Sequence, residues 1–210
     1  MELPEGLYLR MLTDDPAADV VMMPLLAPEE VALVETLHLE KRRRQYTLGR
    51  LALRQLLAEH LGADPARVPL VVAGDGAVDL ADSAWRLSVA HSGDHAVAAV
   101  HRHGAVGVDI ERVQPRHPGL PRFLLHPEER GLVEGPDPDD RLILVWTIKE
   151  AVLKAMRTGF RISPRTLRVQ LDGPNGQASI LVNDRMEWQA RFTKHDEYYV
   201  SVAYPAVAHP

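Results

Sequence analysis

The sequence predicts an α+β protein made of two similar lobes in one chain, a pseudo-dimer with its active site in the cleft between the lobes. Three observations lead there. Helix-like runs with apolar residues every three to four positions alternate with short strand-like runs bounded by Gly-containing turns. The 210 residues are enough for one large lobe or two small ones with a buried core. The two halves also rhyme. "GRLALRQLLAEHLGADPARVPLVVAGDG" begins at Gly49, and "KEAVLKAMRTGFRISPRTLRVQLDGPNG" begins at Lys149. Each reads as a helix, a break, a Pro-containing turn, a strand and a Gly turn. Further on, "DHAVAAVHRHG" sits about where "EYYVSVAYP" does, which gives a repeat of about a hundred residues. The lobes are set at 1–104 and 105–210, and a cleft between lobes is a usual place for a ligand.

Each element has its own signal. The opening stretch "MELPEGLYLRMLTDDP" lacks the basic start and apolar core of a signal peptide, and no apolar run is long enough for a membrane span. Residues 29–61 read as two helices. The second carries Leu48, Leu51, Ala52, Leu56 and Leu57 on one side and stops at Gly62. Strand-like runs follow: "VPLVVAG", "WRLSVAHSG", "HAVAAVHRHG" and "AVGVDIERV". Asp75 and Gly76 make a hairpin turn rather than a phosphate-binding loop, because no Lys-Ser/Thr follows. Residues 115–140 are rich in Pro, Gly and charge, with a short helix around Glu128. A helix then runs from about Asp140 to Arg157. The tail returns to strands in "LRVQLDG", "ASILVN", "EWQARFT" and "YYVSVAYP".

Composition excludes several classes of function. A net charge of -5 argues against nucleic-acid binding by bulk charge. The absence of Cys rules out disulfides and thiolate chemistry, and "HRH" at 101–103 lacks further ligands at zinc spacing. A soluble, cytoplasmic protein without nucleic-acid or membrane partners is expected. Of the 24 Lys plus Arg only four are Lys, and two of these, Lys149 and Lys154, fall in the 140–157 helix. Where Arg is the routine cation, such lysines can mark positions that need a compact ammonium.

The chemistry gathers in two stretches. In "AVGVDIERV", strand alternation points Val106, Val108 and Ile110 one way and Gly107, Asp109 and Glu111 the other, with Gly107 leaving space beside the acids. Two carboxylates so close suit open water at an exposed strand edge, or a hard cation such as Mg²⁺ or Mn²⁺. In "LVWTIKEAVLKAMRTG", Glu150 and Lys154 lie four apart on one helix face, with Lys149 beside them. If that face meets the strand, three carboxylates and two ammonium groups converge in an arrangement suited to phosphoryl transfer. His91, with Ser88 and Ser92, follows a strand and precedes a Gly turn, where it can help form an anion-binding loop.

Taken together these stretches resemble the 4′-phosphopantetheinyl transferase superfamily, in its larger, surfactin-synthetase-activating type. The pattern Gly-x-Asp-x-Glu is met by Gly107, Asp109 and Glu111. The pattern Trp-x-x-Lys-Glu-Ala-x-x-Lys-Ala is met by Trp146, Lys149, Glu150, Ala151, Lys154 and Ala155. A His-Ser-Gly loop is met by His91, Ser92 and Gly93, and a Gly-Arg-x-x-x-Arg helix by Gly49, Arg50 and Arg54. "RFLLHPEE", from Arg122, resembles a further segment of that family, and all five occur in family order. The resemblance implies transfer of phosphopantetheine from coenzyme A to a serine of an apo acyl, peptidyl or aryl carrier, releasing adenosine 3′,5′-bisphosphate. It implies Asp109, Glu111 and Glu150 as ligands of Mg²⁺ (or Mn²⁺), with Glu150 as base and Lys154 on the phosphates. Ser88, His91, Asp109 and Lys154 would meet coenzyme A, and a monomer would suffice because one chain supplies both lobes.

Two departures accompany the resemblance. Leu33 stands where the family often has a basic residue, and the family's Gly-Lys-Pro turn reads Gly76-Ala77-Val78. The basic residues Arg42, Arg43, Arg44 and Arg50 are candidates to compensate, and Arg44 and Arg50 are assigned to the coenzyme side. The alternative reading is a non-catalytic homologue that binds coenzyme A or a carrier. A third is a metal-dependent hydrolase of a pyrophosphate ester.

Overall fold

The computed structural model describes residues 1–15, 23–173 and 175–206. Strand β1 (Leu7–Thr13) opens the chain. The pair of helices expected over 29–61 is α1 (Pro28–Thr36) and α2 (Glu40–Leu61), and α2 closes on Gly62 in the left-handed conformation, φ 64. Strands β2 (Leu70–Val72) and β3 (Val78–Leu80) form the hairpin around Asp75 and Gly76. Strands β4 (Arg86–Ser92), β5 (His95–His101) and β6 (Gly107–Arg112) follow. After the short helix α3 (Leu120–Leu124) and a 3-10 turn at Pro127–Val133 comes the long helix α4 (Pro138–Ala155). Strands β7 (Leu167–Leu171), β8 (Gln177–Val182), β9 (Arg185–His195) and β10 (Tyr198–Pro205) complete the fold.

Helices and antiparallel strands mix as the sequence pattern indicates. One sheet runs β1-β5-β4 and a second runs β6-β10-β9-β8-β7. Helix α2 covers the first sheet through Leu53, Leu57, Ala98 and Val100, and α4 covers the second through Ile148, Val152, Ile180 and Ala203. A third cluster, with Val97 and Ala99 from one sheet and Val108, Ile110 and Val202 from the other, joins the two sheets. Strand β1 gave no clear signal in the sequence, for a physical reason. Leu7, Leu9 and Met11 face the cluster between sheets while Tyr8 and Leu12 face the α2 side, so apolar residues occupy both faces and the alternation disappears.

The halves repeat in two ways that the letters do not announce. Strand order β1-β5-β4 in the first sheet is matched by β6-β10-β9 in the second. Each half also buries a Glu from a Pro-Glu-Glu turn against a cation on its long helix. Glu30 accepts the Ala27 N–H and is paired with Arg54 at 2.5 Å, while Arg54 also donates to the Pro65 and Val68 carbonyls. Glu129 accepts the His126 N–H and is paired with Lys149 at 2.5 Å, while Lys149 donates to the Leu124 and Pro164 carbonyls.

Between the sheets, β4 and β6 lie side by side but are bridged by side chains. Val108 N–H donates to Ser88 Oγ at 3.0 Å, and Arg112 N–H donates to Ser92 Oγ at 3.3 Å. The loop after β4 is thereby fixed beside the acids of β6.

Candidate active site

Strand alternation sends Asp109 toward α4, as Gly107 requires. A Cβ on Gly107 would overlap the Ala151 carbonyl and the Ala155 nitrogen of α4. Gly107 therefore does not leave open space beside the acids, as its position in the sequence suggested. It lets strand and helix backbones touch, and that contact delivers Lys154 to Asp109. Lys154 Nζ donates to Asp109 Oδ1 at 2.7 Å. Asp109 Oδ2 is buried with no hydrogen-bond partner.

Glu150 is half-buried one turn before Lys154 on the same helix. Burial, then the charge of Asp109, raises its pKa to about 7. Burial likewise lifts Asp109 to about 6 against the opposing pull of Lys154, and Glu111 adds to the rise in both. The three carboxylates are thus close enough to resist one another's ionisation. Glu111 is held from outside by Arg116 at 2.6 Å, and Ser92 Oγ lies 3.5 Å from the same oxygen. His91 stands exposed at the rim, its pKa lowered by lost hydration and then by the charge of Lys154, with Arg42 adding to the effect.

A groove of about 580 Å³ opens beside this cluster and is walled by both halves: Asp75, Ala77 and Ser88 from the first, Lys154, Arg157 and Thr158 from the second. A larger cavity of about 1150 Å³ lies elsewhere, among Glu5, His103, Trp188 and Tyr204; neither lining includes the three acids, but the smaller groove is lined by Lys154, which pairs with Asp109, and the larger is not. Chemistry rather than size marks the smaller one.

The structure therefore brings together Asp109, Glu111, Glu150, Lys154, Ser88 and His91. It does not bring Lys149, which the sequence suggested as a second converging ammonium. Lys149 faces away from Asp109 into the interior, fully buried and saturated by Glu129 and two carbonyls, so only one lysine serves the acids. Arg44 is engaged by Asp14 at 3.0 Å and Glu40 at 2.7 Å, and Arg50 lies 3.6 Å from buried Glu30 and over the Tyr46 ring. Neither lines the groove. Sequence reasoning missed Arg116 on Glu111 and Thr158 on the groove wall, and it offered Arg157 only within an Arg-rich stretch suited to an acidic carrier surface, not as part of this wall. Each depends on contacts between distant segments.

Comparison with known proteins agrees with this geometry. Residues 29–101 match the model for the 4′-phosphopantetheinyl transferase N-terminal domain, and residues 105–203 match that for the 4′-phosphopantetheinyl transferase superfamily. The chain is 32% identical over 143 residues to the 4′-phosphopantetheinyl transferase HetI of Nostoc sp., covering 64% of this chain and 60% of that protein. It is 32% identical over 144 residues to slr0495 of Synechocystis sp., covering 64% of this chain and 58% of the relative. These alignments thus span about three fifths of the relatives' own length. A phosphopantetheinyl transferase of Thraustochytrium sp. is 29% identical over 200 residues, covering 85% of this chain and 69% of the relative. The two matched models meet at the start of the strand that carries Asp109 and Glu111, and on their combined span the chain belongs to the 4′-phosphopantetheinyl transferase superfamily.

Proposed function

We propose that this protein transfers the 4′-phosphopantetheine arm of coenzyme A to a serine of an apo acyl, peptidyl or aryl carrier protein, with release of adenosine 3′,5′-bisphosphate and dependence on Mg²⁺. The observation that carries the reading is the carboxylate cluster of buried Asp109 and half-buried Glu111 and Glu150 with Lys154 at its edge, beside a groove that both halves wall.

A divalent ion fits this donor set. Its atoms are carboxylate oxygens, one of them buried and unpartnered, and their mutual repulsion would be relieved by a hard cation. Among the described residues no group of three or more acidic or histidine side chains is already closed around a metal position. Asp109, Glu111 and Glu150 would hold the ion, and when bound it would neutralise pyrophosphate charge.

The chain's own residues supply the rest. The carrier serine Oγ attacks the phosphorus on the pantetheine side of the pyrophosphate, and the bond to the bridging oxygen breaks. Glu150 accepts the serine proton directly or through one water. Lys154 neutralises the charge that develops on the departing bisphosphate. His91, whose pKa is lowered by lost hydration and then by the charge of Lys154, can donate a hydrogen bond to a phosphate oxygen. Ser88 shapes the groove wall through its bond to Val108. In this reading residues 1–104 form the coenzyme-side lobe and 105–210 the lobe carrying the acids, and a monomer suffices because one chain supplies both lobes. The repeated strand order and the paired buried Glu–cation contacts support that division.

Intact-mass spectrometry tests the proposal. Several apo carrier proteins incubated with the protein, coenzyme A and Mg²⁺ should gain one phosphopantetheine, and EDTA should abolish the gain. No gain on any carrier by a protein that binds coenzyme A would replace transfer with a binding role.

A further inference from the structure

Arg157 occupies a conformation and a set of contacts that the chemistry above does not use. It follows α4 directly, in the position where helices commonly place Gly, and its backbone is left-handed at φ 55. A non-Gly residue persists there only when its surroundings hold it. What holds it is the other half of the molecule. Arg157 Nε and Nη2 donate to Asp75 at 2.9 and 3.0 Å, and Nη1 donates to both oxygens of Asp79 at 3.1 and 2.9 Å. The guanidinium thus grips two carboxylates of the β2–β3 hairpin, one on the turn and one on β3, across about 80 positions of sequence. Its own carbonyl is fixed by Arg161 Nη2 at 3.0 Å.

This contact spans the groove. Asp75 and Ala77 belong to one wall and Lys154, Arg157 and Thr158 to the other. The Thr158 hydroxyl, next to Arg157 in sequence, is buried with no hydrogen-bond partner.

We propose that Arg157 is a positioning residue that clamps the 75–79 hairpin onto the end of α4 and so sets the width of the groove that seats the coenzyme. The inference rests on the proposed use of that groove for coenzyme A. Planar, bidentate pairing suits Arg to this role better than Lys, because geometry as well as charge is specified.

A clamp and a plain charge effect predict opposite signs. Asp75 and Asp79 put negative charge beside a groove meant for an anionic ligand. If only charge mattered, Asp75→Asn together with Asp79→Asn would tighten coenzyme A binding. If the clamp matters, the double variant keeps Arg157 yet loosens the hairpin, and binding should weaken about three- to tenfold. The experiment is calorimetric titration of coenzyme A into the wild-type protein and the double variant, with amide hydrogen exchange across residues 73–80 measured on both. Weaker binding together with faster exchange in that hairpin is the expected result. Equal or tighter binding by the variant overturns the clamp. Absence of coenzyme A binding by the wild-type protein overturns the functional reading itself, a distinct result. A thermal melt close to wild type in the variant confirms that its fold is intact.

Discussion

Two lysines five residues apart on α4 meet two different fates. Lys149 is sealed: Glu129 and two carbonyls take its hydrogen bonds, and Glu129 in turn accepts from the His126 and Val169 amides. Lys154 is not. It satisfies one oxygen of Asp109, leaves the other without a partner, and sits beside a Glu150 whose charged form burial disfavours. Both are lysine–carboxylate pairs on one helix. The difference is completeness, and it separates a pair that holds the fold from one that, in the proposed function, would meet a cation and a phosphate.

The sharpest way to break this comparison is Glu150→Gln. It should cut phosphopantetheine transfer by about 10²–10⁴-fold, the range for loss of a general base, read by the initial rate of carrier mass gain. Retained activity would remove Glu150 from the mechanism. Next in size is Lys149→Ala, which strands a buried Glu129. It should cost about 3–5 kcal/mol in chemical denaturation, a loss that added Mg²⁺ and coenzyme A do not selectively repair.

A subtler test uses the same Glu150→Gln variant without metal. The carboxyl pKa is higher in the folded chain than in the unfolded one, so the proton is held more tightly when folded. Its favourable contribution is complete below about pH 4.5 and is lost as pH rises through about 7. The Gln variant cannot ionise. It should therefore be more stable than the wild type at pH 8, by up to about 3 kcal/mol, with the gap closing toward pH 4 in thermal melts. Equal stability at pH 8 would mean that Glu150 is better solvated than its surroundings indicate. The smallest effect belongs to Arg44→Ala. Arg44 is engaged by Asp14 and Glu40 away from the groove, so the KM for coenzyme A should change by less than about twofold.

Much of the fold was legible because local chemistry and tertiary role agree. Gly62 ends α2, the Asp75-Gly76 pair turns a hairpin, and the tail returns to the expected strands. The acids of β6 and the Glu150/Lys154 face of α4 were legible as types at fixed spacings. Strand β1 was not, because both its faces are covered. Nor was the fate of Lys149: its neighbour Glu150 and its motif suggested the acid cluster, while helix geometry turns residue 149 toward Glu129.

Sequence by itself determined which residues could do chemistry: the spacing of Asp109 and Glu111 on a strand, that of Glu150 and Lys154 on a helix, and the His91 loop. Local periodicity encodes the face on which a side chain emerges, so those choices are readable from the letters. Tertiary structure alone decided which of them meet, which charges are already neutralised, and that Arg157 reaches across to Asp75 and Asp79. Those facts depend on burial and on contacts between segments far apart in the chain. Burial and distant charge set an ionisable group's hydration and partners, and neither is written in the residues on either side of it.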